Sequence, residues 1–296
     1  MAWNKWWMAA GAMVIVLVLL SFFLASLADN PIALSNKIAI VPIQGEISSS
    51  GSASTLSALE VVDALDEAEN DPTVSAILLD IDSPGGSIVP TKQIVAKGRE
   101  LKKPVVSYIG DSGASGAYYV AASSDYIFSD ADSITGSIGV ISIFPNLEGL
   151  LEKIGVKFQV LKVGENKDIG SPFSELNAEQ RQIIQTILDD AFSHFKSDVL
   201  LFRSGKVDLA SFDAVADGRI LSGQQAKAIG LVDALGTRNQ AIQKAGELAG
   251  ISGEPIPVDF GLKPFSLLDL FSVSGKSFGS GFREGLTSAN VPKIQS

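Results

Sequence analysis

VSAILLDIDSPGGS, residues 74–87, is the stretch of sequence that decides the fold. It begins with a largely apolar run and passes without a break into the turn residues Ser83, Pro84 and two glycines. An apolar run of this length next to a turn indicates a strand that is buried on both faces. Strands of this kind belong to parallel sheets that helices cover on both sides, so the stretch predicts an α/β fold.

Strands and helices are predicted to alternate on both sides of this stretch, the pattern of an α/β fold with parallel pairing. The β-branched and aromatic runs predict strands in KIAIVPIQGEI (37–47), PVVSYIG (104–110), DYIFSD (125–130) and VKFQVLKVG (156–164). Apolar periodicity and capping residues predict helices at 56–71, 90–101, 115–124, 146–155, 177–202, 222–230 and 237–249. The tail, residues 260–296, lacks a sustained period and is predicted to be a loosely ordered extension or a partner-contact segment.

The amino-terminal segment WWMAAGAMVIVLVLLSFFLASLA, residues 6–28, carries no charge and is long enough to cross a membrane as a helix. Lys5 precedes it and Asp29 follows it, so residues 1–5 are predicted to form a cytoplasmic stub. After a linker at 29–36, residues 37–259 form a domain that we expect outside the cytoplasm, attached to the cell membrane by a single span. A cleaved signal peptide is the alternative, but the apolar run is longer than a usual signal-peptide core.

Composition excludes several kinds of chemistry and several partners. The 296 residues include no cysteine and a single histidine, His194, so thiol nucleophiles, disulfides and multi-histidine metal sites are excluded. We predict no metal and no cofactor. The net charge of −10 makes nucleic acid an improbable partner.

Ser115 is a candidate nucleophile. It lies in GDSGASGAYYVAA (110–122), at the predicted junction between the end of a strand and the start of a helix. In such a turn a serine hydroxyl faces open space and the amide of the next residue, Gly116, gains from the positive end of the helix dipole. An ordinary helix cap is the alternative, and these residues alone favour it.

The SPGG turn is a second candidate element. Gly85 and Gly86 can adopt backbone angles that other residues avoid, and such a turn can present amide hydrogens to an oxyanion. We therefore predict an oxyanion hole formed by the amides of Gly86 and Gly116. A phosphate-binding loop is the alternative, although no Gly-Lys-Ser/Thr sequence follows.

Lys167, in GENKDIGSPF (164–173), is the third candidate. To act as a general base its amine must be neutral, which requires a pKa several units below the usual value of about 10.4. A site filled by an apolar peptide would supply the necessary desolvation. A surface lysine is the ordinary alternative.

His194 is the position that a Ser/His/Asp triad would need. Residues 113–117 approach the GxSxG elbow but have Ala117 in place of the last glycine. On the predicted helix, His194 stands four residues from Asp190 and from Asp198, away from the apolar positions. We therefore interpret His194 as a solvated surface residue paired with these carboxylates.

The ordered motifs DSPGGS, GASGAYY, TGSIGV and NKDIGSPF, followed by DGRILSGQQAKAIGLVDALG, resemble those of the S49 serine peptidases, the signal peptide peptidase A family. The resemblance extends from about Lys37 to Gly250. It implies a spiral of ββα units like that of the crotonases and Clp protease, with Ser115 and Lys167 as a dyad. It also implies that Ser137 orients the lysine amine and that Gly86 and Gly116 supply the oxyanion hole. A common form of the family motif has glycine at the position of Ala117, so this chain carries one additional methyl group there.

Further expectations follow from the resemblance. Because the chain has one copy of a unit that long members have twice, the family implies a homo-oligomeric ring in which serine and lysine come from neighbouring subunits. The implied substrates are remnant signal peptides and other apolar peptides. Two alternatives stay open, an acyl-CoA hydratase or isomerase of the same fold and a membrane scaffold without activity.

Overall fold

The computed structural model describes position 13 and residues 15–21, 36–52 and 55–261. The chain divides into two units, residues 1–260 and 261–296, and only the first residue of the second unit is described. Most of the predicted span at 6–28 lies outside the described residues, as does nearly all of the predicted extension after 260. Residues 15–21 are helical. No described helix combines the length and the apolarity that a membrane crossing requires.

The elements of the first unit alternate as the sequence predicted. The strands are β1 (Lys37–Gln44), β2 (Glu46–Ser48), β3 (Thr55–Ser57), β4 (Val74–Ser83), β5 (Val105–Ala114), β6 (Tyr126–Ser129), β7 (Ile134–Gly136), β8 (Ile220–Ser222), β9 (Ala234–Leu235) and β10 (Ile256–Asp259). The helices are α1 (Ala58–Asn70), α2 (Ile88–Glu100), α3 (Gly116–Ala122), α4 (Glu148–Lys153), α5 (Ala178–Phe202), α6 (Leu209–Val215), α7 (Gly223–Ala228) and α8 (Arg238–Leu248).

The main sheet is parallel along the order β10-β1-β4-β5-β6-β9. Besides its pairing with β4, strand β5 pairs with two further strands: residues 106–109 pair with β6, and residues 112–114 pair with β7. Strand β8 extends this branch and runs antiparallel to β7, while β2 and β3 form a small separate sheet. The predicted α/β class with a parallel sheet is thereby confirmed.

The central strand β4 is buried on both faces, as predicted. Ile77, Leu79 and Ile81 point into the core beneath α1, α2, α3 and α5, whereas Ala76 and Leu78 point into a second core against α8. Because side chains alternate along a strand, the continuous apolar run supplies both cores at once. The turn at the carboxyl end of β4 is therefore fixed on both sides by packing.

Three predicted helix starts are confirmed in detail. The side chains of Asn177, Ser222 and Thr237 each accept a hydrogen bond from the backbone N–H three residues later, and the glutamine at that position bonds back to the cap. These reciprocal capping boxes satisfy amide groups that a helix cannot pair internally. They explain why α5, α7 and α8 begin where the sequence predicted.

The prediction of a strand at 156–164 is wrong: the structure has no strand at these residues. A strand needs a neighbour to pair its backbone groups. None of the described strands pairs with this segment, whose apolar side chains remain exposed: Val156, Phe158, Val160, Leu161 and Val163. The pattern of side chains is that of a strand, but the single chain provides no partner for it.

Candidate active site

Ser115 lies in a strained turn between β5 and α3, where the sequence placed it. Its backbone angles are φ 51° and ψ −122°, a combination that costs free energy for a residue with a side chain. The backbone N–H of Ser115 donates a 2.9 Å hydrogen bond to the carbonyl oxygen of Gly136, at the end of β7. A sharp strand-to-helix turn of this kind displays a serine hydroxyl at the edge of a sheet.

The SPGG turn packs directly against this serine. Gly85 is buried with φ +101°, and a Cβ atom there would stand 2.7 Å from the backbone nitrogen of Gly116 and 2.9 Å from the Cβ of Ser115. Both distances are shorter than van der Waals contact, so a side chain does not fit. The glycine is required because two main-chain segments meet at this point.

The amides of Gly86 and Gly116 lie close together, as the oxyanion-hole prediction requires. A Cβ atom on Gly116 would stand 3.4 Å from the backbone nitrogen of Gly86. In the parallel bridge between Gly86 and Ile47, the hydrogen bonds are made by the flanking residues: Ile47 donates to Gly85, and Ser87 donates to Ile47. The N–H of Gly86 is thus directed away from Ile47, and that of Gly116 is in the unpaired first turn of α3.

Ser137 lies beside these groups. It follows Gly136, which accepts the hydrogen bond from Ser115, and it has φ 51° like Ser115. Its own N–H donates to the carbonyl oxygen of Arg219 at 2.8 Å, which ties this strand end to the segment before β8. The structure therefore brings Ser115, Ser137, Gly86 and Gly116 to one place.

These four residues line a groove with a volume of about 1120 Å³, here called the active-site groove. One wall is the start of α2, with Ile88 and Val89, and the other is a face of α5. The residues of α5 in this wall follow helical spacing: Gln185, Leu188, Asp189, Phe192 and Phe195. A long groove with apolar walls suits an extended apolar peptide.

Lys167, by contrast, is not among the residues that line the active-site groove. Its side chain is exposed, in the turn that precedes α5. The neighbouring side chains hold this turn on the start of α5, because Asn166 donates to Glu179 at 3.2 Å and Gln180 donates to Asp168 at 3.5 Å. Lys162 also forms an ion pair with Asp168 and lowers the pKa of that carboxyl.

The opposite end of α5 contacts the helix that carries Ser115. Tyr119 stacks on Phe195 with ring centroids 4.6 Å apart, and its hydroxyl donates a hydrogen bond to Asp198. Burial, followed by this hydrogen bond, raises the pKa of the Tyr119 hydroxyl. The contact at Glu179 and the contact at Asp198 are separated by about 28 Å along the helix, at 1.5 Å per residue. Between these two contacts, residues 185–195 of α5 form a wall of the active-site groove.

His194 is exposed, as predicted, but its predicted carboxylate pairing is not observed with Asp198, which binds Tyr119 instead. The ring of Tyr119 reaches Asp198 because α3 packs against this part of α5. His194 does not line the active-site groove, so a triad with Ser115 has no support in this chain.

Several groove residues were not found by sequence analysis. Leu188 had the spacing of a core residue but lines the groove, and Phe195, with the same spacing, is buried in the core and also borders the groove. No sequence pattern pointed to Asp217. The side chain of Arg219 lowers the pKa of Asp217 to about 2 through two hydrogen bonds. Ala117 is fully buried and outside the groove lining, so its extra methyl group does not narrow the groove.

A serine at a sharp strand-to-helix turn, beside a glycine turn and at the edge of a groove, is the arrangement of a serine hydrolase. Comparison with known proteins then identifies the family. The model of peptidase family S49 matches residues 97–252, and the chain belongs to this family. It is a serine peptidase of the signal peptide peptidase A type.

Named relatives agree with this assignment. A Synechocystis protein with the provisional name of a protease is 41% identical over 225 residues, which cover 75% of this chain and 78% of that protein. A Methanocaldococcus jannaschii protein with a similar name is 37% identical over 228 residues, covering 76% and 72%. The chloroplastic serine protease SPPA of Arabidopsis thaliana is 30% identical over 243 residues, covering 79% of this chain and 35% of that protein.

Proposed function

We propose that the chain is a membrane-anchored endopeptidase in which Ser115 works with Lys167 of a neighbouring subunit. The observation that carries this proposal is that Lys167 of the same chain is exposed and absent from the lining of the groove that holds Ser115. A dyad requires the amine and the hydroxyl within hydrogen-bond reach. In a closed ring, the turn of one subunit can reach the groove of the next.

The exposed apolar surface near Lys167 supports such an assembly. Leu161 and Val163 are each 97% exposed, and Ile141 and Ile143 are each 81% exposed. Large apolar side chains this exposed are the kind that a protein interface buries. The backbone groups of residues 157–163 form no hydrogen bond to other described backbone groups, and a strand of a neighbouring copy can satisfy them. Burying this segment between copies brings the Lys167 turn into the interface with it.

The proposed mechanism is an acyl-enzyme pathway. The neutral amine of the partner subunit's Lys167, oriented by Ser137, takes the hydroxyl proton of Ser115 while the serine oxygen attacks the peptide carbonyl carbon. The amides of Gly86 and Gly116 donate to the oxyanion of the tetrahedral intermediate, and loss of one such donor typically costs about 3 kcal/mol. The ammonium group then gives its proton to the leaving amine, and water hydrolyses the ester in the same way.

The apolar walls of the groove support remnant signal peptides and other apolar peptides as substrates. The proposed anchor at 6–28 would place the domain beside the membrane from which such peptides are released. Family membership favours the peptidase over the two alternatives, an acyl-CoA hydratase or isomerase and an inactive scaffold.

Subunit complementation tests the shared site. We expect Ser115→Ala and Lys167→Ala each to abolish peptide cleavage when expressed alone. When the two variants are co-expressed at equal levels, random assembly leaves an intact Ser/Lys pair at about one site in four. We expect roughly a quarter of wild-type activity from the mixed protein. A mixed assembly without activity would contradict the shared site, and cleavage by Lys167→Ala alone would contradict the dyad.

A further inference from the structure

The charged residues of the active-site groove are all acidic among the residues that the structure describes. They are Glu46, at the start of β2, Asp189, on the α5 wall, and Asp217, near Gly139. No lysine, arginine or histidine lines the groove within the described ranges. A cleft whose charges are of one sign attracts ligands of the opposite sign.

The three carboxylates differ in their partners. Asp217 is paired with Arg219, whose guanidinium contacts it at 2.6 Å, so its charge is compensated. Asp189 accepts a hydrogen bond only from the neutral amide of Gln185, at 2.7 Å, and neither it nor Glu46 forms an ion pair with any described residue. Asp189 and Glu46 are therefore the groove carboxylates whose charge is uncompensated.

Asp189 lines the same groove as Ser115. It shares the groove-lining face of α5 with Leu188 and Phe192, and it lies six residues before Phe195, the residue stacked on Tyr119. Six residues of helix span about 9 Å, the length of roughly three residues of extended peptide. A peptide in the groove would pass apolar side chains near Ser115 and reach Asp189 a few residues further on.

We infer that Asp189 determines substrate specificity by binding a lysine or arginine of the peptide, two to four positions from the cleaved bond. The preferred substrate class is thus a peptide that combines apolar residues at the scissile bond with a basic residue nearby. Glu46, which also lines the groove, adds to the attraction of the basic side chain. This inference rests on the proposed peptidase function and concerns only the choice of peptide.

The experiment uses the full-length protein and one apolar parent peptide. Lys, Gln or Glu is placed in turn at each of four positions on either side of the cleaved bond, and kcat/KM is measured at low and high salt. We expect wild type to prefer the Lys peptide over its Gln counterpart about tenfold at one position, less at high salt because ions screen the contact. The Asp189→Asn variant should lose this preference, and Asp189→Lys should prefer Glu.

Asp190→Asn is the matched control, because Asp190 is the next residue on α5, is exposed and does not line the groove. It should retain the preference for Lys. An unchanged Lys/Gln ratio in Asp189→Asn would overturn the inference, while Ser115-dependent cleavage of the uncharged peptide would leave the peptidase function intact. An equal loss for all peptides, together with a changed assembly mass, would also overturn it, because Asp189 would then serve a subunit contact. If no peptide is cleaved in a Ser115-dependent way, the proposed function fails and the inference fails with it.

Discussion

Gly85 and Ser115 meet through their main chains, so closely that a Cβ atom on Gly85 would lie 2.9 Å from the Cβ of Ser115 and 2.7 Å from the backbone nitrogen of Gly116. The turn after β4 and the turn after β5 therefore form one structural unit. The nucleophile and one of the two proposed oxyanion donors depend on this contact. Substitutions on the β4 side should accordingly change the reactivity of a serine that is 30 residues away in sequence.

Gly85→Ala should reduce the labelling rate of Ser115 by a fluorophosphonate probe at least tenfold, because the methyl group pushes the nucleophile turn out of place and φ +101° is strained for alanine. Circular dichroism should show that the fold is kept. The matched control is Gly149→Ala, where an added Cβ meets no atom within 4 Å. Equal labelling of the two variants would contradict the contact.

Ser137→Ala should lower kcat roughly tenfold, the effect of about 1.4 kcal/mol of lost orientation, and leave KM nearly unchanged. The reason is that the Ser137 hydroxyl is proposed to orient the lysine amine without binding the peptide. Steady-state cleavage of one apolar peptide measures both constants. Ser142→Ala, at another groove position, serves as control and should behave as wild type. A rise in KM alone would assign Ser137 to substrate binding instead.

Tyr119→Phe should destabilise the protein by about 1–3 kcal/mol, because it removes the hydroxyl that donates to the half-buried Asp198 and keeps the ring stacked on Phe195. Urea unfolding followed by fluorescence gives the free energy of unfolding. Tyr126→Phe is the control, since the Tyr126 hydroxyl makes no hydrogen bond to a described residue, and it should lose little. If both variants lose the same free energy, the Tyr119 hydrogen bond does not hold α3 to α5.

Acid should weaken the fold partly through Asp233. Burial raises the pKa of this carboxyl, but the hydrogen bonds and charges of Arg203 and Lys206 outweigh burial and lower it below the usual value. A carboxyl with a lowered folded-state pKa contributes stability above its unfolded pKa of about 3.9, and that contribution is lost as pH falls through the folded value.

Asp233→Asn should therefore cost about 3 kcal/mol at pH 7, since it leaves the fully buried guanidinium of Arg203 without its counterion. Its stability should also fall less than that of wild type between pH 5 and pH 2. Urea midpoints across this range provide the measurement. An identical pH dependence in the two proteins would show that Asp233 does not carry this effect.

Much of the site was predictable because its elements are local. Ser115 follows a strand and precedes a helix, and the glycines of SPGG follow a buried strand, so short patterns identify both turns. The helix caps at Asn177, Ser222 and Thr237 are local in the same sense, since each uses residues only three apart. Structural features that depend on residues close together in the chain can be recognised from a short sequence pattern.

The strand predicted at 156–164 shows the limit of such patterns. Apolar and polar residues do alternate in this segment, but a strand forms only where another strand pairs with it. The sequence of the segment does not show whether such a partner is present. Leu188 shows a related limit. Its helical spacing places it on the apolar face of α5, but whether a residue of that face packs on a core, as Phe195 does, or borders a groove depends on what lies opposite it.

The sequence by itself determined the parallel α/β class, the position of Ser115 in its turn and the starts of the capped helices, because each follows from contacts between residues close in the chain. Only the tertiary structure decided that the SPGG turn touches Ser115, that α5 forms a groove wall, and that Lys167 lies outside the lining of that groove. These are distances between segments remote in sequence, and they are fixed by how strands and helices pack against one another.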